Sequence, residues 1–477
     1  MLTRIEINGF KSFEDFELDL APLTVILGSN SAGKSNLFDA LLFLSALTEG
    51  NLQQAAARSR GELHELFGRD AEGGAVGEMS FAVEVLLPGQ VKDPWGNQRD
   101  LQWTRLRYEV RLRRRSDAQG LERVQVVHEL ARALLKTEDR ERLTKAFCVS
   151  KEFSADYLRY GRSRVPFLRT GPDEMTGIIT FELSQDGKQG RKRRGVAGDV
   201  LALASAENTE FAHLFALREE LRNLRLLHIN PAEIRKPVDP LDRGALKVDA
   251  SNLASVLDRI ETESRTNDQE GILQELSLDL AVVIPMVRDV RVTKAEDGRK
   301  NQVLFQLKDG LEVPAALASD GTLRLLALLT YLRDPEYSGV LCLEEPENGI
   351  HPGRLRELIP LLRDLVVDPA MVERPAHPLP LTQLLLNSHS PVVLAALHGF
   401  FKEEIKPPVR AYFAQMVPLF PGASELSPLG RRGRTKMVPL EFPLQLGMGA
   451  VEDGDGRPSS MTDLQASQFL AAADAGI

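Results

Sequence analysis

The sequence predicts an α/β fold with a mixed, largely parallel central sheet, an antiparallel β lobe and a helical inserted lobe. Near the start, the apolar run Leu23–Leu27 leads into a glycine-bearing loop and then into the helical pattern NLFDALLFLSAL. Far along the chain, the apolar runs GVLCLEE and QLLLNS alternate with helical patterns. Buried strands that alternate with helices indicate a parallel sheet, so we expect this sheet to be assembled from both ends of the chain.

Length, charge and cysteine content restrict the class of protein. A chain of 477 residues is longer than one ordinary domain and predicts two lobes. The formal net charge of -9 argues against a dedicated nucleic-acid coat protein, although a local basic patch can still contact DNA. The only cysteines, Cys148 and Cys342, are far apart, which argues against a disulfide framework and a zinc module. The sequence has no run of about 18 apolar residues, so we predict a cytoplasmic protein without a membrane span.

The middle of the chain predicts a β-rich lobe followed by helices. Short alternating segments fill residues 79–129, and the clearest of them runs from 103 to 113. One face of that strand is apolar and the other is mainly basic: Thr104, Leu106, Tyr108, Val110 and Leu112 against Arg105, Arg107, Glu109, Arg111 and Arg113. We expect the first face to be buried and the second to be solvent-facing. Residues 130–220 are predicted to be largely helical, with the basic stretch GKQGRKRRG at 187–195 as a loop tip.

The segment Gly28-Ser29-Asn30-Ser31-Ala32-Gly33-Lys34-Ser35 matches the phosphate-loop pattern GxxxxGK[ST]. It lies between a buried strand and an amphipathic helix, where the pattern requires it. An ordinary glycine turn is the alternative, and the flanking strand and helix favour the phosphate loop. Glycines let backbone N–H groups wrap phosphates, and a helix N-terminus favours negative charge. Lys34 would reach the outer phosphates and the Ser35 hydroxyl would ligate magnesium, so the loop predicts ATP and Mg²⁺ as cofactors.

The segment LCLEEPENGIHP delivers Glu344 and Glu345 to the carboxyl end of an apolar strand, where ligands of parallel sheets collect. One carboxylate can hold the magnesium and its water shell while the next polarises the attacking water. A solvated acidic turn is the alternative, and the phosphate loop favours the functional interpretation. A second strand ends at Asn387-Ser388-His389-Ser390-Pro391, which offers a histidine at the same edge; alone, it would be interpreted as structural.

A third motif, Leu317-Ala318-Ser319-Asp320-Gly321-Thr322, is a polar turn that opens a long apolar helix. Considered alone, it is a serine N-cap followed by a glycine. Its position in the chain, after the phosphate loop and before the paired glutamates, gives it a further interpretation.

In chain order, the phosphate loop, Ser319-Asp320-Gly321, EEPENGIHP and NSHSP resemble the ATPase heads of the ABC superfamily, specifically the SMC, RecF and OLD branch (OLD, overcoming lysogenization defect). The resemblance covers residues 1 to about 50 and about 250 to 400, and the opening INGFKSFEDFELDL is similar to that branch as well. It implies an ABC-type ATPase head. The ATPase domain would then occupy residues 1–78 and 251–415, with a β-rich and helical insertion at 79–250 and a C-terminal extension at 416–477.

The resemblance also implies roles for individual residues. Ser319 and Gly321 would form the signature contact, which reaches the terminal phosphate bound by a second subunit. Glu344 would be the Walker B magnesium residue, Glu345 the catalytic base and His389 the switch histidine that senses the terminal phosphate. The residues expected to contact or lie near the nucleotide are Lys11, Ser12, Asn30, Ser31, Ala32, Gly33, Lys34, Ser35, Asn36, Ser319 and Gly321, and those expected at the metal are Ser35 and Glu344.

The sequence departs from the family pattern in three ways. Glu344 stands where the superfamily usually has aspartate, a substitution associated with OLD-like ATPases that keeps the carboxylate and lengthens its reach. The glutamine that normally helps to bind magnesium cannot be assigned, because neither Gln53 nor Gln54 follows a convincing strand. We expect no counterpart of the Toprim domain of OLD nucleases, because the lone DxD, Asp453-Gly454-Asp455, lies in a glycine-rich tail and follows no apolar strand, which favours a flexible tail over a metal site.

The resemblance implies a homodimer, or a higher homo-oligomer, that sandwiches ATP between the phosphate loop of one subunit and the signature of the other. A separate effector, for example a nuclease, would act under its control, because stand-alone heads of this kind resemble the ATPase subunits of bacterial anti-phage systems. One rival is a RecF-like ATPase of DNA repair. Its candidate DNA contacts are the basic residues at 103–113, 188–194 and 431–436, for which solvated surface is the simpler interpretation. The other rival is a non-hydrolysing scaffold held together by ATP.

Overall fold

The structure is a computed structural model that describes residues 1–70, 74–116, 122–139, 149–162, 165–172, 178–185, 192–196, 198–266, 271–296, 298–370, 380–400, 409–418 and 433–440. Its strands are β1 (Leu2–Asn8), β2 (Phe16–Asp19), β3 (Leu23–Leu27), β4 (Glu78–Leu86), β5 (Gln90–Lys92), β6 (Gln98–Asp100), β7 (Arg105–Ser116), β8 (Glu122–Ala133), β9 (Pro166–Pro172), β10 (Ile179–Ser184), β11 (Lys192–Val196), β12 (Arg225–Leu227), β13 (Val287–Lys294), β14 (Asn301–Leu307), β15 (Glu312–Pro314), β16 (Val340–Glu344), β17 (Gln383–Ser388), β18 (Val409–Pro418) and β19 (Gly433–Pro439). Its α-helices are α1 (Lys34–Leu47), α2 (Leu52–Ala57), α3 (Lys151–Tyr157), α4 (Ala212–Arg222), α5 (Pro231–Ile234), α6 (Leu253–Thr266), α7 (Ile272–Val283), α8 (Asp320–Arg333), α9 (Pro352–Asp364) and α10 (Pro391–Phe400). The predicted mixed α/β fold class is confirmed.

A six-stranded sheet with the order β12-β16-β17-β3-β18-β19 carries the predicted motifs. Its first five strands are parallel neighbours, and β19 returns antiparallel to β18. The N-terminal strand β3 lies between β17 and β18, which come from late in the chain. This arrangement confirms the prediction of a largely parallel sheet assembled from both ends of the chain.

Strand β16 shows why the central strands are mainly apolar. Val340 and Cys342 belong to the hydrophobic core that covers one side of the sheet, and the alternate residues Leu341 and Leu343 belong to the core on the other side. Successive side chains of a strand point to opposite faces, so a strand covered on both faces favours apolar residues at most positions.

An eight-stranded antiparallel sheet forms the β lobe, with the order β11-β10-β9-β8-β7-β4-β1-β2. Strands β1 and β2 pair with each other and join this sheet through β4, although β3 follows them closely in sequence. The first strands of the chain therefore belong to the β lobe, and the chain enters the parallel sheet at Leu23.

Residues 166–196 correct the prediction of a largely helical segment at 130–220. They contribute β9, β10 and β11, which extend the antiparallel sheet beyond β8. Strand β10 alternates Ile179, Phe181 and Leu183 with polar residues, a period-two pattern that helix spacing does not account for. Within the predicted loop tip, residues 192–195 lie in β11, and residues 187–191 lie outside the described residues.

The arginine-bearing face of β7 also differs from expectation, because acidic residues on neighbouring strands neutralise it. In the register of β4 and β7, Arg107 lies opposite Glu84 and Arg113 lies opposite Glu78, and both pairs form ion contacts. Opposite charges at facing positions stabilise antiparallel strands. The face is therefore an ion-paired surface and not an uncompensated basic one.

Arg105 was expected on the solvent-facing side of the same strand, and this prediction is wrong. Its side chain is fully buried, and Nε and Nη2 donate hydrogen bonds to Asp139 at 2.7 and 2.9 Å. A buried guanidinium requires such a partner, since an unpaired buried charge is strongly destabilising. The partner comes from just beyond β8, so the pattern within β7 could not reveal it.

Helices α6 and α7 pack with the small sheet β13-β14-β15 and with α8, and together they fill the core on the far side of the parallel sheet. Helix α8 begins after its N-cap Ser319, whose hydroxyl accepts a hydrogen bond from the Thr322 amide. Across the described ranges, no helix combines the length and the apolar content that are needed to traverse a bilayer.

Candidate nucleotide site

The segment from Gly28 to Ser35 connects β3 to α1 as predicted. Ser29, Asn30 and Ser31 are exposed at the carboxyl end of the sheet, and Ser31 adopts a left-handed conformation with φ 68°. Gly33 has φ 87°, and a Cβ atom there would lie 1.9 Å from Thr435 Oγ1, so the close approach of β19 requires glycine. The exposed backbone of this loop at the start of a helix is suited to an anionic ligand.

Lys34 begins α1, and its side chain folds back over the loop. Its ammonium donates hydrogen bonds to the carbonyl oxygens of Gly28 at 2.6 Å and Ser29 at 2.9 Å. Burial lowers the pKa of Lys34 below its ordinary value, and the nearby carboxylates of Glu345, Glu347 and Glu344 oppose that shift. Among the described residues, the hydrogen bonds of this ammonium are thus with loop carbonyl groups, from which phosphate oxygens could draw it.

Glu344 ends β16 and lies between three polar partners. Its carboxylate accepts hydrogen bonds from the Ser35 hydroxyl and, at 3.2 Å each, from Asn387 Nδ2 and Arg60 Nη2. Burial raises the pKa of Glu344, but these partners outweigh it and hold the pKa below the ordinary value. The structure therefore brings together the two residues predicted to bind magnesium, Ser35 and Glu344.

Glu345 follows with a left-handed backbone at φ 50°. Its amide donates to the backbone carbonyl and to the side chain of Asn387, and its Oε2 accepts a hydrogen bond from Asn348 at 2.8 Å. A left-handed conformation is unfavourable for a residue with a side chain and is often found at functional sites. The turn directs Glu345 away from the path of β16 and brings its Oε1 within 3.3 Å of His389 Nδ1.

His389 follows β17 and is half-exposed at the same edge as both glutamates. Strand β17 lies between β16 and β3, so the histidine lies between the paired carboxylates and the phosphate loop. Its Nδ1 is 3.3 Å from an oxygen of Glu345 and also 3.3 Å from an oxygen of Glu347. Glu347 was not among the predicted site residues, although it lies in the same motif only two positions after Glu345.

Lys11 takes part in a charged network around the base of α1. Its ammonium contacts the buried Asp39 at 2.6 Å, and Arg60 contacts the other oxygen of Asp39 at 2.9 Å while reaching Glu344 with Nη2. Asp39 and Arg60 were not predicted. A charged residue on the buried side of α1 was the available signal for Asp39, because such a residue requires a partner.

Ser12 and Asn36 form a second polar group beside the loop. Asn36 Nδ2 donates to the Ser12 hydroxyl at 2.8 Å, and Ser12 shares a hydrogen bond of 2.6 Å with Thr435 Oγ1. The Thr435 amide also donates to the Ser12 carbonyl. The predicted residues Ser12 and Asn36 are therefore linked to each other and to a threonine of β19 that the sequence motifs did not indicate.

The signature residues lie at the N-terminus of α8. Gly321 packs against the loop that follows Glu345, where a Cβ atom would lie 2.0 Å from the Gly349 carbonyl oxygen. Ser319 and Asp320 are exposed, and Asp320 is paired with Arg235 at 2.6 Å. The Ser319 hydroxyl is hydrogen-bonded within its own turn, to Thr322. Because Ser319 and Asp320 are exposed, this end of α8 lies at the surface.

Two predicted features remain outside this arrangement. Gln54 completes the capping box of α2 with Asn51, so its side chain is engaged in the helix cap, and Gln53 is exposed. The DxD at 453–455 lies outside the described residues. In the part of the chain that the structure describes, no cluster of three or more histidine, cysteine or acidic residues is arranged to hold a metal ion by itself. Magnesium bound with nucleotide phosphates needs only one or two protein ligands, a requirement that Ser35 and Glu344 meet.

Two family models match the chain. Residues 1–153 match the model described as AAA ATPase domain, and residues 200–395 match the model described as AAA domain, putative AbiEii toxin, Type IV TA system. No curated protein matches the sequence significantly.

The chain is also similar to solved SMC head structures. The SMC head bound to the C-winged helix domain of ScpA has 12% identity and a TM-score of 0.46, and covers 93% of this chain and 98% of its own. The SMC head domain from Thermotoga maritima has 11% identity and a TM-score of 0.38, with 92% and 99% covered. The head with an extended coiled coil from Pyrococcus furiosus, bound to the C-terminal domain of ScpA, has 13% identity and a TM-score of 0.45, with 92% and 96% covered.

Proposed function

We propose that the chain is an ABC-type ATPase head of the SMC and RecF branch, and that it binds and hydrolyses Mg-ATP at the edge formed by β16, β17 and β3. The observation that carries this proposal is the convergence of Lys34, Ser35, Glu344, Glu345 and His389 at that edge, although they come from opposite ends of the chain. Phosphate binding without hydrolysis would not require the carboxylates of Glu344 and Glu345 beside the loop.

Each residue is assigned a role that its surroundings support. The amides of residues 29–33 and the Lys34 ammonium bind phosphate oxygens. Ser35 and Glu344 hold Mg²⁺, which would neutralise phosphate charge when bound. Glu345 orients and polarises the attacking water, and the hydrogen bond from Asn348 fixes one of its oxygens and leaves the other directed toward His389. His389 contacts the terminal phosphate.

The exposed position of Ser319 supports a composite site. Its hydroxyl lies at the N-terminus of α8, a position that favours anions, yet it faces the surface of its own subunit. We infer that two copies of the chain face each other, so that Ser319 and Gly321 of one meet the nucleotide of the other. Nucleotide binding would close such a dimer and hydrolysis would reopen it.

The hydrolysis proposal is tested by steady-state phosphate release from the purified chain and from Glu345→Gln. The substitution keeps the size of the side chain and removes the base, so we expect kcat to fall by about 10²- to 10⁴-fold, the contribution of a general base. Glu357→Gln, on the exposed face of α9, is the matched control and should retain the wild-type rate. No turnover by the wild type would reject hydrolysis and support the ATP-bound scaffold instead.

The dimer proposal has its own measurement. Glu345→Gln should trap the ATP-bound state, so light scattering after gel filtration should show a dimer with Mg-ATP and a smaller species without it. Ser319→Arg, which places a bulky side chain at the proposed interface, should remain in the smaller form under both conditions. A nucleotide-independent mass for Glu345→Gln would contradict the composite site.

For the biological role we propose control of a separate effector in anti-phage defence. The family model that matches residues 200–395 is described as AAA domain, putative AbiEii toxin, Type IV TA system. A toxin–antitoxin system has two components, so this description supports a function alongside a second protein. Affinity purification from the native host, followed by ATPase assays with the recovered proteins, tests this role. Recovery of the chain alone, with no change in its ATPase rate on phage infection, would reject it.

The rival role as a DNA-binding ATPase loses its main candidate surface. Arg105 is buried, and Arg107 and Arg113 are paired with glutamates, so the arginine-bearing face of β7 presents little uncompensated charge to a phosphate backbone. Stimulation of the ATPase by gapped or junction DNA, in the absence of any other protein, would support the role as a DNA-binding ATPase.

A further inference from the structure

Glu347 lies inside the proposed site without a role in it. The chain turns after Glu345, where the Asn348 amide donates to the Glu345 carbonyl, and this turn places the Glu347 side chain beside the end of β17. Its Oε1 accepts hydrogen bonds from the Ser388 hydroxyl at 2.8 Å and from the His389 amide at 3.0 Å. The same oxygen is 3.3 Å from His389 Nδ1. One carboxylate oxygen thus contacts the backbone and the ring of the proposed phosphate sensor.

The other oxygen of Glu347 has an unfavourable environment. The side chain is only 11% exposed, and Oε2 is buried without a hydrogen-bond partner among the described residues. A buried, unpaired carboxylate oxygen is costly, whereas a neutral amide could accept the same two hydrogen bonds from Ser388 and His389. The hydrogen bonds from Ser388 and His389 therefore do not explain why the residue at position 347 is negatively charged.

The two carboxylates near His389 Nδ1 differ in their freedom. Glu345 is 38% exposed and is the proposed base, so its oxygen must turn toward a water during the reaction. Glu347 is more buried and is fixed by the end of β17. When Glu345 leaves the imidazole, Glu347 is the one carboxylate among the described residues that remains beside the ring nitrogen. A carboxylate that contacts one ring nitrogen sets the orientation of the ring and directs the other nitrogen outward.

We propose that Glu347 is a positioning residue for His389: it anchors Nδ1 so that Nε2 faces the terminal phosphate while Glu345 is free to act as the base. This inference rests on the proposed ATPase function and adds a residue to it. Glu347 acts through the histidine and does not contact the substrate.

A double-substitution cycle with ATP hydrolysis as the readout tests this inference. We expect Glu347→Ala to lower kcat by about 10- to 100-fold, as the loss of an orienting partner does, with KM changed far less. Glu347→Gln keeps an acceptor oxygen and should lose less activity than Glu347→Ala. In the His389→Ala background, Glu347→Ala should change kcat no further, because the group through which it acts is gone.

Ser388→Ala serves as the control for a purely structural role. It removes one of the hydrogen bonds that connect the two strand ends but leaves Glu347 against the imidazole. It should lower kcat much less than Glu347→Ala does. Thermal unfolding of each variant, with and without Mg-ATP, verifies that the variant folds and binds nucleotide.

The outcomes separate this inference from the function on which it rests. Suppose that the wild type hydrolyses ATP and Glu345→Gln does not, but that Glu347→Ala lowers kcat by the same factor in the His389→Ala background as in the wild type. The positioning role is then overturned, and the proposed ATPase activity stands. The positioning role is equally overturned if Ser388→Ala is as damaging as Glu347→Ala, or if KM rises while kcat stays unchanged. If the wild type releases no phosphate, both the proposed hydrolysis and this inference fall.

Discussion

Two charge-rich regions of the molecule use their charges in opposite ways. On β7 of the antiparallel sheet, Arg105, Arg107 and Arg113 are each paired with a carboxylate. At the edge of the parallel sheet, Lys34 donates to backbone carbonyls and Glu347 keeps a buried oxygen without a partner among the described residues. In the first region each of these arginines has a carboxylate partner within the protein, although Arg105 Nη1 is buried without a hydrogen-bond partner among the described residues. The second region holds charges that a ligand can satisfy better.

The comparison shows that a run of charges in sequence does not identify a binding surface. The arginine-rich strand was one of the basic patterns in the sequence, yet its neighbours supply acids in register. The charges of the site converge from distant segments and remain only partly compensated. Four substitutions test this contrast.

The largest effect is expected from Arg105→Ala. Removing the guanidinium leaves Asp139 as an uncompensated buried charge, which typically costs about 3–5 kcal/mol of folding free energy. Urea denaturation measures the loss. If Arg105 serves structure alone, ATP affinity at low denaturant stays at the wild-type level, and weakened ATP binding in the folded variant would remove the distinction between the two regions.

The second effect is expected from Lys34→Ala. Lys34 forms its hydrogen bonds with loop carbonyls, so its loss should change stability little, but a charge-assisted contact with phosphate contributes about 1.5–3 kcal/mol to binding. Isothermal titration calorimetry should therefore show ATP binding weakened by tens of fold or more. Unaltered affinity would mean that the ammonium stays with the loop when nucleotide is bound.

A smaller effect, in pH dependence, is expected from Arg60→Ala. The guanidinium of Arg60 helps to hold the pKa of Glu344 below its ordinary value. An ionised Glu344 is needed to bind magnesium, so activity should fall only as the pH drops through this lowered pKa. Without Arg60 the pKa rises, and the acidic limb of the kcat/KM profile should move to higher pH. An unmoved limb would show that Glu344 does not control it.

The smallest effect is expected from Arg113→Ala, the matched control for Arg105→Ala on the same strand. Its pair with Glu78 is partly exposed, and such pairs contribute about 0–1 kcal/mol. Urea denaturation should barely distinguish this variant from the wild type. Retention on a DNA column should be unchanged too, and a clear loss of retention would identify the strand face as a DNA contact.

The parallel sheet was predictable from sequence because its strands are continuous apolar runs followed by chemically distinctive motifs. Leu23–Leu27 before the phosphate loop, and the runs that end at Glu344 and Ser388, each carry a signal within a few residues. Strand β10 carried only a short alternation among polar residues, and the helical interpretation of its surroundings was wrong.

The remaining site residues were not predictable because their partners are remote. Arg60 reaches Glu344 across 284 positions, and Thr435 reaches Ser12 across 423. Glu347 was nearer, inside a motif already recognised, but its contact with His389 depends on the turn after Glu345. Burial of Arg105 likewise depends on Asp139, which a pattern confined to one strand cannot show. Motifs locate the principal residues, while the groups that orient them emerge only with the fold.

The position of β3 has a consequence for biosynthesis. The strand that carries the phosphate loop ends at Leu27, but its two neighbours in the sheet are β17 and β18, which begin at Gln383 and Val409. A ribosome therefore produces the nucleotide motif long before the strands that support it. An emerging polypeptide carries the loop without the strands that flank it until residues 383–418 have been synthesised, so competence to bind ATP cannot arise before then.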